Sequence, residues 1–491
     1  MNRQQVPIYL GVDIGTQGVR IVALDDCGEI VSSRSHTFLI GLSREEQDPA
    51  RWWQSVTACL QDIASELKRQ GRLGAVRSMS VTSTSGTVIA LDSHYEPLSP
   101  ALMYSDPRSR EEAELCKRIA ERNAVQGYKA FNPSAGLPKI VWFVRQHPGI
   151  AERIKLWAHA ADYILGKLSG VWGVTDYTNA LKTGYDLHRL SWPEYLGKEL
   201  SLPGSWFPEV VSPGTVIGRL DPAIAEATGL PSTVDVVTGM TDGCASQISA
   251  GSIRPGEWNT TIGTTMVVKG VTRKPLEDRL GIFYNHRHPD GFWMPGGASN
   301  TGADWVSSDY AGADLDELNE AAGRLIPTAW LSYPLKRQGE RFPFYSEAAV
   351  GFDPPGISAI ERYAARMEGV AYMEKLSYDI VERLSGEKVS CVQTSGGASN
   401  SQVWLKIRAH VLQKPVVKMT HTEGAAGAAV LAAVPCYHSL SQAAEQLIRP
   451  ERIVEPDDRS MTRKYEDGYA RFVEKLVKLG YYQEESVSDK S

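Results

Sequence analysis

The sequence contains little cysteine. Six cysteines occur in 491 residues, and no two of them form a CxxC pair. Such sparse thiols argue against a disulfide framework and against a cysteine-rich zinc site. We therefore expect reduced thiols, in or near the core of a cytoplasmic protein.

A long hydrophobic run is also lacking. The uncharged segment most worth considering is residues 425–437, which is too short and too rich in alanine to span a bilayer. The residues before Ile8 contain no basic region followed by an apolar one, so we expect no secretory signal peptide. The protein is therefore expected to have no membrane partner.

Neither sign of charge is in large excess. Lys and Arg number 52 and Asp and Glu number 58, which gives a formal net charge of −6. This balance argues against a nucleic-acid partner, because binding along a phosphate backbone needs a concentrated basic surface. Hydrophobic residues make up 42% and charged residues 22%, as in folded globular chains and unlike disordered or collagen-like ones.

Three common motifs are missing as well. The chain has no GxxxxGK[ST] P-loop, no GxGxxG after its first strand and no GxSxG nucleophile elbow. A P-loop site, a Rossmann dinucleotide site and an α/β-hydrolase are therefore unsupported. Any phosphate-binding loop must be of another kind.

The pattern of turns and strands at the N-terminus recurs in mid-chain. Residues 8–24 are typical of two strands around a Gly-Thr-Gln-Gly turn, and residues 258–271 are typical of two strands around a Gly-Thr-Thr turn. Further strands alternate with helices, which predicts an α/β fold with mixed sheets. The pattern also predicts two large domains of related topology, divided near residue 250 without a linker.

Two helices have clear sequence signals. Asp48 is a good N-cap for a helix that begins at Pro49, and apolar residues recur from Trp53 to Leu67 at helical spacing. Near the C-terminus, residues 461–482 carry Tyr and Leu residues at helical spacing. They predict an amphipathic helix that packs on the body of the protein.

Asp13 is the first residue suited to chemistry. It ends the first predicted strand and precedes the tight turn of Gly15, Thr16 and Gln17. A carboxylate there can hold a metal ion, and the amides and hydroxyl of the turn can hold phosphate oxygens. An aspartate that only caps its own turn explains the same pattern.

Asp242 is the second candidate. It follows a strand-like run and precedes small residues that open a helix, a position that suits a general base in phosphoryl transfer. A simple N-cap is the alternative. Two glycine-rich segments are further candidates for phosphate, ribose or ring binding at strand ends: residues 263–265 and residues 396–400. For the second of these, a plain strand–helix turn is the alternative.

Together and in this order, these motifs resemble the FGGY family of carbohydrate kinases, in the superfamily of actin, hexokinase and chaperone ATPases. The resemblance covers about residues 8–482, and residues 395–416 and 422–429 look like the C-terminal signature of the family. It implies an α/β fold of two ribonuclease-H-like (actin-like ATPase) domains, with mixed five-stranded sheets flanked by helices and a cleft between them.

The resemblance also implies a separate role for each domain. Residues 1–250 would form the sugar-binding domain and residues 251–457 the nucleotide-binding domain, with a C-terminal helix at residues 458–482 packed on the first. ATP and Mg²⁺ would be the cofactors, Asp13 would hold the metal, and Asp242 would be the base for the sugar hydroxyl. The implied ATP-binding residues are Gly15, Thr16, Gln17, Gly263, Thr264, Thr265, Gly396, Gly397 and Asn400.

The sugar is indicated by a departure from one branch of the family. Xylulokinases usually carry Gln-Met-His-Gly where this chain has residues 83–86, Ser-Thr-Ser-Gly. The local pattern looks more like that of D-ribulose kinases. Ser85 suits a hydrogen bond to sugar, while Asp106 and Arg108 would either orient the sugar or pair with one another, and Asp242 would also contact the acceptor.

We therefore expect an ATP-dependent pentulose kinase, active as a monomer or a homodimer, whose partners are ATP and a small sugar, D-ribulose first. D-xylulose or another ketose or polyol remains open. So does a protein of a different class, a nucleotide-switched binding protein with an actin-like fold.

Overall fold

The computed structural model describes residues 5–38, 44–123 and 130–483. The strands are β1 (Ile8–Ile14), β2 (Gly18–Asp25), β3 (Ile30–Thr37), β4 (Glu46–Gln47), β5 (Val76–Ser83), β6 (Val88–Leu91), β7 (Ala101–Leu102), β8 (Leu156–His159), β9 (Val174–Asp176), β10 (Glu209–Val211), β11 (Val216–Arg219), β12 (Asp235–Thr241), β13 (Glu257–Ile262), β14 (Met266–Gly270), β15 (Tyr284–Arg287), β16 (Trp293–Ser299), β17 (Cys391–Ser395), β18 (Val416–Met419) and β19 (Pro450–Val454).

The helices alternate with these strands, as the α/β prediction requires. They are α1 (Pro49–Arg69), α2 (Arg110–Arg122), α3 (Gly136–Gln146), α4 (Pro148–Ala151), α5 (Ala160–Ser169), α6 (Tyr177–Ala180), α7 (Tyr195–Lys198), α8 (Pro222–Thr228), α9 (Asp242–Ser249), α10 (Asp304–Asp309), α11 (Leu315–Gly323), α12 (Ala359–Ser385), α13 (Gln402–Leu412), α14 (Gly424–Tyr437), α15 (Leu440–Leu447) and α16 (Arg459–Lys478).

The chain divides into two compact units. Unit 1 comprises Met1–Ser249 and Thr422–Leu447, and unit 2 comprises Ala250–His421 and Ile448–Ser491. The second domain is therefore not the continuous stretch 251–457 that we expected, because α14 and α15 belong to unit 1.

Small residues explain why α14 packs in unit 1. A Cβ added to Gly427 in α14 would lie 1.9 Å from the carbonyl oxygen of Ala245 in α9. A Cβ added to Gly11 in β1 would lie 1.9 Å from the carbonyl oxygen of Ala425. Backbone approaches this close exclude any side chain at these two positions, so the glycines fix the place of α14 against β1 and α9.

The main sheet of unit 1 has the strand order β11-β12-β5-β1-β2-β3. Its centre is parallel, because β1 and β12 both run parallel to β5. β2 and β3 continue the sheet antiparallel, and β11 is antiparallel at the opposite edge. A smaller sheet, β4-β7-β6-β8, and the pair β10-β9 complete the strands of this unit.

The sheet of unit 2 repeats this arrangement, with the order β15-β16-β14-β13-β17-β18-β19. β13 is antiparallel to β14 and β14 to β16, whereas β13 and β18 both run parallel to β17. The predicted pair of ribonuclease-H-like cores is confirmed. The sheets have six and seven strands rather than five, because antiparallel edge strands extend each five-stranded core.

The signals for α1 are confirmed. The side chain of Asp48 accepts a hydrogen bond from the amide of Ala50, and Pro49 is the first helical residue. The buried stripe begins at Trp52, which is 1% exposed, and not at the neighbouring Trp53 as the spacing suggested.

Two expectations from composition can be compared with the structure. All six cysteines are free thiols, but Cys27 and Cys436 are exposed, so the prediction of core or near-core thiols is wrong for these two. Among the residues that the structure describes, no helix combines the length and the apolar character needed to cross a membrane.

The C-terminal helix packs on the second unit, so the expectation that it packs on the first is wrong. Residues of α16, among them Tyr465 and Phe472, are buried in the hydrophobic core of unit 2. The hydroxyl group of Tyr465 donates to Glu368 (3.1 Å) and that of Tyr469 donates to Asp379 (2.7 Å), both in α12. The apolar face of α16 thus completes the core around α12 and α13.

This packing predicts a contrast between two leucines at the end of α16. Leu476 is fully buried, whereas Leu479 is 45% exposed. We expect Leu476→Ala to lower the free energy of unfolding by about 2–5 kcal/mol and Leu479→Ala to change it by about 0.5 kcal/mol or less. Chemical denaturation followed by tryptophan fluorescence measures both, and equal losses would contradict the packing.

Candidate active site

Asp13 lies near the end of β1, at the edge of the parallel part of the unit 1 sheet. Its Oδ1 atom is buried and has no hydrogen-bond partner among the described residues. A Cβ added to Gly424, the first residue of α14, would lie 2.8 Å from Oδ2 of Asp13. Burial, and then repulsion from Asp242, raises the pKa of Asp13 from 3.8 to about 7, while Arg20 acts in the opposite direction.

Asp242 begins α9 directly after β12. Because β1 and β12 both run parallel to β5 on either side of it, their carboxyl ends lie at one edge of the sheet. This topology brings Asp242 and Asp13 into the electrostatic contact that raises the pKa of Asp13. Oδ1 of Asp242 accepts a hydrogen bond from the amide of Gly243 (2.6 Å), the next residue of α9.

The two carboxylates suit a magnesium ion whose remaining coordination positions are filled by other ligands. No group of three or more His, Cys, Asp or Glu side chains is placed to hold a metal ion in the described part of the chain. Mg²⁺ commonly uses one or two carboxylates and takes its remaining ligands from water and phosphate oxygens. The unpartnered Oδ1 of Asp13 is the atom best suited to such an ion.

The turn after Asp13 is tight. The amide of Gly15 donates to the carbonyl oxygen of Gly18 (2.9 Å), and Nε2 of Gln47 donates to the carbonyl oxygen of Thr16 (2.9 Å). Thr16 is partly exposed and Gln17 is exposed. The hydroxyl and amides of this turn therefore lie at the surface of unit 1, beside the Asp13 carboxylate.

The segment that distinguishes the chain from xylulokinases, residues 83–87, is packed almost throughout. Oγ of Ser83 accepts from the amide of Ala161 (3.0 Å), and the hydroxyls of Thr84 and Thr87 bond to each other (2.8 Å). Ser85 differs, because its Oγ is buried and has no partner among the described residues. A buried hydroxyl without a partner is costly, so this atom is suited to a ligand.

Asp106 and Arg108 form the ion pair that was one of the two alternatives. Nε and Nη2 of Arg108 donate to both carboxylate oxygens of Asp106 at 2.7–3.1 Å, and Nη2 also donates to Glu46 (2.6 Å). These bonds raise the pKa of Arg108 above its usual value. The guanidinium lies over the ring of Trp142. Contact of either residue with a sugar stays a prediction.

Lys139 is a buried charged residue beside this pair that the sequence analysis missed. Its Nζ donates to the carbonyl oxygens of Pro133 and Ala135. Burial lowers the pKa of Lys139 to about 7, while Asp106 acts in the opposite direction. A Cβ added to Gly86 would lie 2.2 Å from the carbonyl oxygen of Ser134, so Lys139 holds the loop that packs against this glycine. The one sequence signal for Lys139 was the occurrence of a lysine among the apolar residues of α3.

In unit 2, Gly263–Thr265 form the turn between β13 and β14. The amide of Gly263 donates to the carbonyl oxygen of Thr265 (3.0 Å), and the amide of Ala303 donates to that of Gly263 (2.7 Å). Thr264 is exposed and Thr265 is half-buried. The two hydroxyl groups therefore lie at or near the surface of the unit.

The pair Gly396–Gly397 lies beside this turn. It follows β17, which runs parallel to β13. Gly396 has a φ of 83°, and a Cβ there would lie 2.5 Å from the carbonyl oxygen of Ile262, so the position requires glycine. Asn400 is exposed, and its Oδ1 accepts from Nζ of Lys418 (3.2 Å). The structure thus brings together the candidate nucleotide loops of unit 2.

Glu340 supports these loops and gave no signal in the sequence. Its buried carboxylate accepts hydrogen bonds from the hydroxyls of Ser299 and Thr301 and from the amide of Asn300, at 2.7–2.9 Å. The backbone continues into Gly302, where a Cβ would lie 2.5 Å from the carbonyl oxygen of the turn residue Thr264. The partners lie about 40 residues apart in the chain, too far for any local pattern.

Comparison with known proteins gives a consistent result. Residues 8–249 match the N-terminal domain of the FGGY family of carbohydrate kinases, and residues 258–436 match its C-terminal domain. A xylulose kinase from Staphylococcus epidermidis is 25% identical, over 92% of this chain and 93% of that protein. A gluconokinase from Bacillus licheniformis is 27% identical, over 83% of each chain.

Among solved structures, a xyloylose kinase from Brucella ovis superposes with a TM-score of 0.84. The superposition covers 96% of this chain and 99% of that chain, at 23% sequence identity. At this level of identity the similarity concerns the fold, which extends over both units.

The pKa of Asp13 predicts a pH-dependent penalty on stability. Because the folded-state pKa, about 7, lies above the unfolded value near 3.8, the folded chain binds this proton more tightly and loses stability as the pH rises through 7. Asn does not titrate. In chelator, Asp13→Asn should therefore gain about 2–3 kcal/mol of stability over the original protein between about pH 5 and about pH 8.

The control for this measurement is Asp467→Asn, the same substitution at an exposed position of α16. Denaturation at the two pH values should show the difference for Asp13→Asn only. The same pH dependence in both variants would contradict the environment described for Asp13.

Proposed function

Because the chain belongs to the FGGY family of carbohydrate kinases, we propose that it transfers the γ-phosphate of ATP to the terminal hydroxyl of a pentulose, with D-ribulose favoured. Sugar phosphotransfer itself follows from the family. The observation that supports the detailed mechanism is the pair of carboxylates, Asp13 and Asp242, at one edge of the unit 1 sheet.

In this proposal Asp242 is the general base. Its carboxylate accepts the proton of the sugar hydroxyl as the oxygen forms a bond to the γ-phosphorus and ADP leaves. Asp13 holds Mg²⁺, which when bound neutralises negative charge on the phosphate oxygens. The amide of Gln17 and the hydroxyl of Thr16 bind the phosphates next to it, and Gly15, whose amide closes the turn on Gly18, holds these donors in place.

The nucleotide is assigned to the loops of unit 2. Thr264 and Thr265 bind phosphate oxygens through their hydroxyl groups, and Gly263, whose amide donates to Thr265, holds the turn that carries them. Gly396 and Gly397 offer a surface without side chains against which the adenosine lies. The side chain of Asn400 binds the adenosine at the same edge of the sheet. The adjacency of these loops at the ends of β13 and β17 supports this assignment.

The choice of D-ribulose rests on residues 83–86. Ser85 stands where xylulokinases usually carry histidine. Its buried Oγ has no hydrogen-bond partner within the described part of the chain, and a sugar hydroxyl would supply one. D-Xylulose is the second candidate, because relatives that match most of the chain are named xylulose kinase. D-Ribulose and D-xylulose differ in configuration at a single hydroxyl-bearing carbon, so a single side chain that contacts this hydroxyl, such as Ser85, can select between the two sugars.

Arg108, oriented by Asp106, contacts the sugar from the same unit.

The decisive assay measures ADP production from Mg-ATP with D-ribulose, D-xylulose, L-ribulose, gluconate and glycerol. We expect the highest kcat/KM with D-ribulose. Asp242→Asn should lower kcat by about 10³-fold, because it removes the base without changing the size of the side chain. Asp467→Asn serves as the control. A response to D-xylulose alone would overturn the sugar assignment, and an unchanged kcat in Asp242→Asn would overturn the base.

The close contact of α14 with Asp13 predicts that Gly424→Ala folds but loses most of its activity. The added methyl group would lie 2.8 Å from Oδ2 and displace the carboxylate, so we expect kcat to fall by about 10–100-fold. Gly149→Ala is the matched control, because nothing lies within 4 Å of a Cβ at this helical position. Equal kcat values for the two variants would show that the position of Asp13 does not limit the reaction.

A further inference from the structure

The last residues of β12, which lead into Asp242, leave the regular ladder with β5. The register of these two strands shifts just before Thr241. Side chains complete the hydrogen bonds there. Oγ1 of Thr82 donates to the carbonyl oxygen of Met240 (2.6 Å), and the amide of Thr241 donates to Oγ1 of Thr178 (2.9 Å). The backbone that carries Asp242 is therefore held by two threonine hydroxyls.

Thr178 is itself held by a buried carboxylate. Oδ1 of Asp176 accepts from the hydroxyl (2.5 Å) and the amide (2.7 Å) of Thr178, and Oδ2 accepts from Nδ2 of Asn179 (2.5 Å). Asp176 is 2% exposed, and Thr178 and Asn179 are fully buried. Burial raises the pKa of Asp176, while these donors act in the opposite direction.

The direction of these bonds gives the hydroxyl a defined orientation. A threonine hydroxyl has one proton, and the amide of Thr241 can only donate, so Oγ1 of Thr178 is the acceptor on that side. The proton of Thr178 therefore points to Asp176, and an oxygen lone pair is left for the amide of Thr241. Within a buried network each bond of this kind is strengthened by the next, so Asp176 fixes the position of a backbone group next to Asp242.

We propose that Asp176 and Thr178 are positioning residues for Asp242, setting the backbone at Thr241 so that the carboxylate is aligned with the acceptor hydroxyl. The inference rests on the proposed function, in which Asp242 is the base. Neither residue touches the substrate. They act by aligning the reacting groups, and an error of about 1 Å in this alignment can lower the rate about a hundredfold.

The test compares Thr178→Val with Thr178→Ser. Valine keeps the shape but removes the acceptor for the Thr241 amide, so kcat should fall by about 10–100-fold while the KM for sugar and for ATP changes by about twofold or less. Serine keeps the hydroxyl and should retain kcat to within about threefold. Each kcat is measured per folded protein, with the fold verified by circular dichroism and thermal denaturation.

A buried threonine outside this network provides the control. Thr228 in α8 is 3% exposed, and its hydroxyl donates only to the carbonyl oxygen of Ile224 in the same helix (2.7 Å). Thr228→Val should lose stability but keep kcat. If Thr178→Val does not fold, Asp176→Asn, which preserves volume, is measured instead, with the same expected loss of kcat at unchanged KM.

Asp242→Asn, measured in parallel, separates the two proposals. If it keeps full kcat, the assignment of the base fails and the positioning role fails with it. If it loses activity while Thr178→Val stays within about twofold of the original kcat, only the positioning role is overturned. A fall in kcat in both Thr178→Val and Thr228→Val would show a general effect of stability and also overturn it.

Discussion

The placement of two carboxylates at one edge of a parallel sheet is the constraint on which unit 1 depends. Parallel strands on either side of β5 place Asp13 and Asp242 together, and burial of Asp13, followed by repulsion from Asp242, raises the pKa of Asp13 to about 7. The surroundings keep them there, since α14 approaches Asp13 through Gly424 and a threonine hydroxyl bonds to the backbone beside Asp242. In the proposed function a bound cation would relieve this repulsion at Asp13, and Asp242 would serve as the proton acceptor.

Unit 2 repeats the sheet topology of unit 1 but carries different side chains in its first hairpin. Its first hairpin repeats the pattern of the first unit, and Thr261 occupies the place before Ile-Gly-Thr that Asp13 occupies in β1. The hydroxyl of Thr261 bonds to Ser395 in the neighbouring strand (2.7 Å). One copy of the hairpin thus presents a carboxylate, which we propose holds a metal ion, and the other presents threonine hydroxyl groups, which we propose bind phosphate.

The sequence predicts those features that depend on near neighbours in the chain. Asp48 and Pro49 mark the start of α1 correctly, and both hairpins lie where their glycines indicate, because caps and turns are set within a few residues. The repeated topology follows from the repeated hairpin. The motif order was also sufficient to indicate the family.

Features that depend on distant contacts were not predictable. The return of α14 to unit 1 and the docking of α16 on unit 2 depend on which surfaces fit, and helical periodicity does not specify the partner. The bond between Thr178 and Thr241 joins residues 63 positions apart, and no local motif marks either one. The supporting residues of the candidate site were therefore missed, whereas the residues beside glycine turns were found.

We propose that the two carboxylates have separate roles, with Asp13 binding the cation and Asp242 accepting the proton. Titration calorimetry of ADP with and without Mg²⁺ distinguishes these roles. We expect Mg²⁺ to tighten ADP binding about tenfold in the original protein and in Asp242→Asn, and to have no such effect in Asp13→Asn. An Mg²⁺ effect that survives in Asp13→Asn, or is lost in Asp242→Asn, would contradict this division.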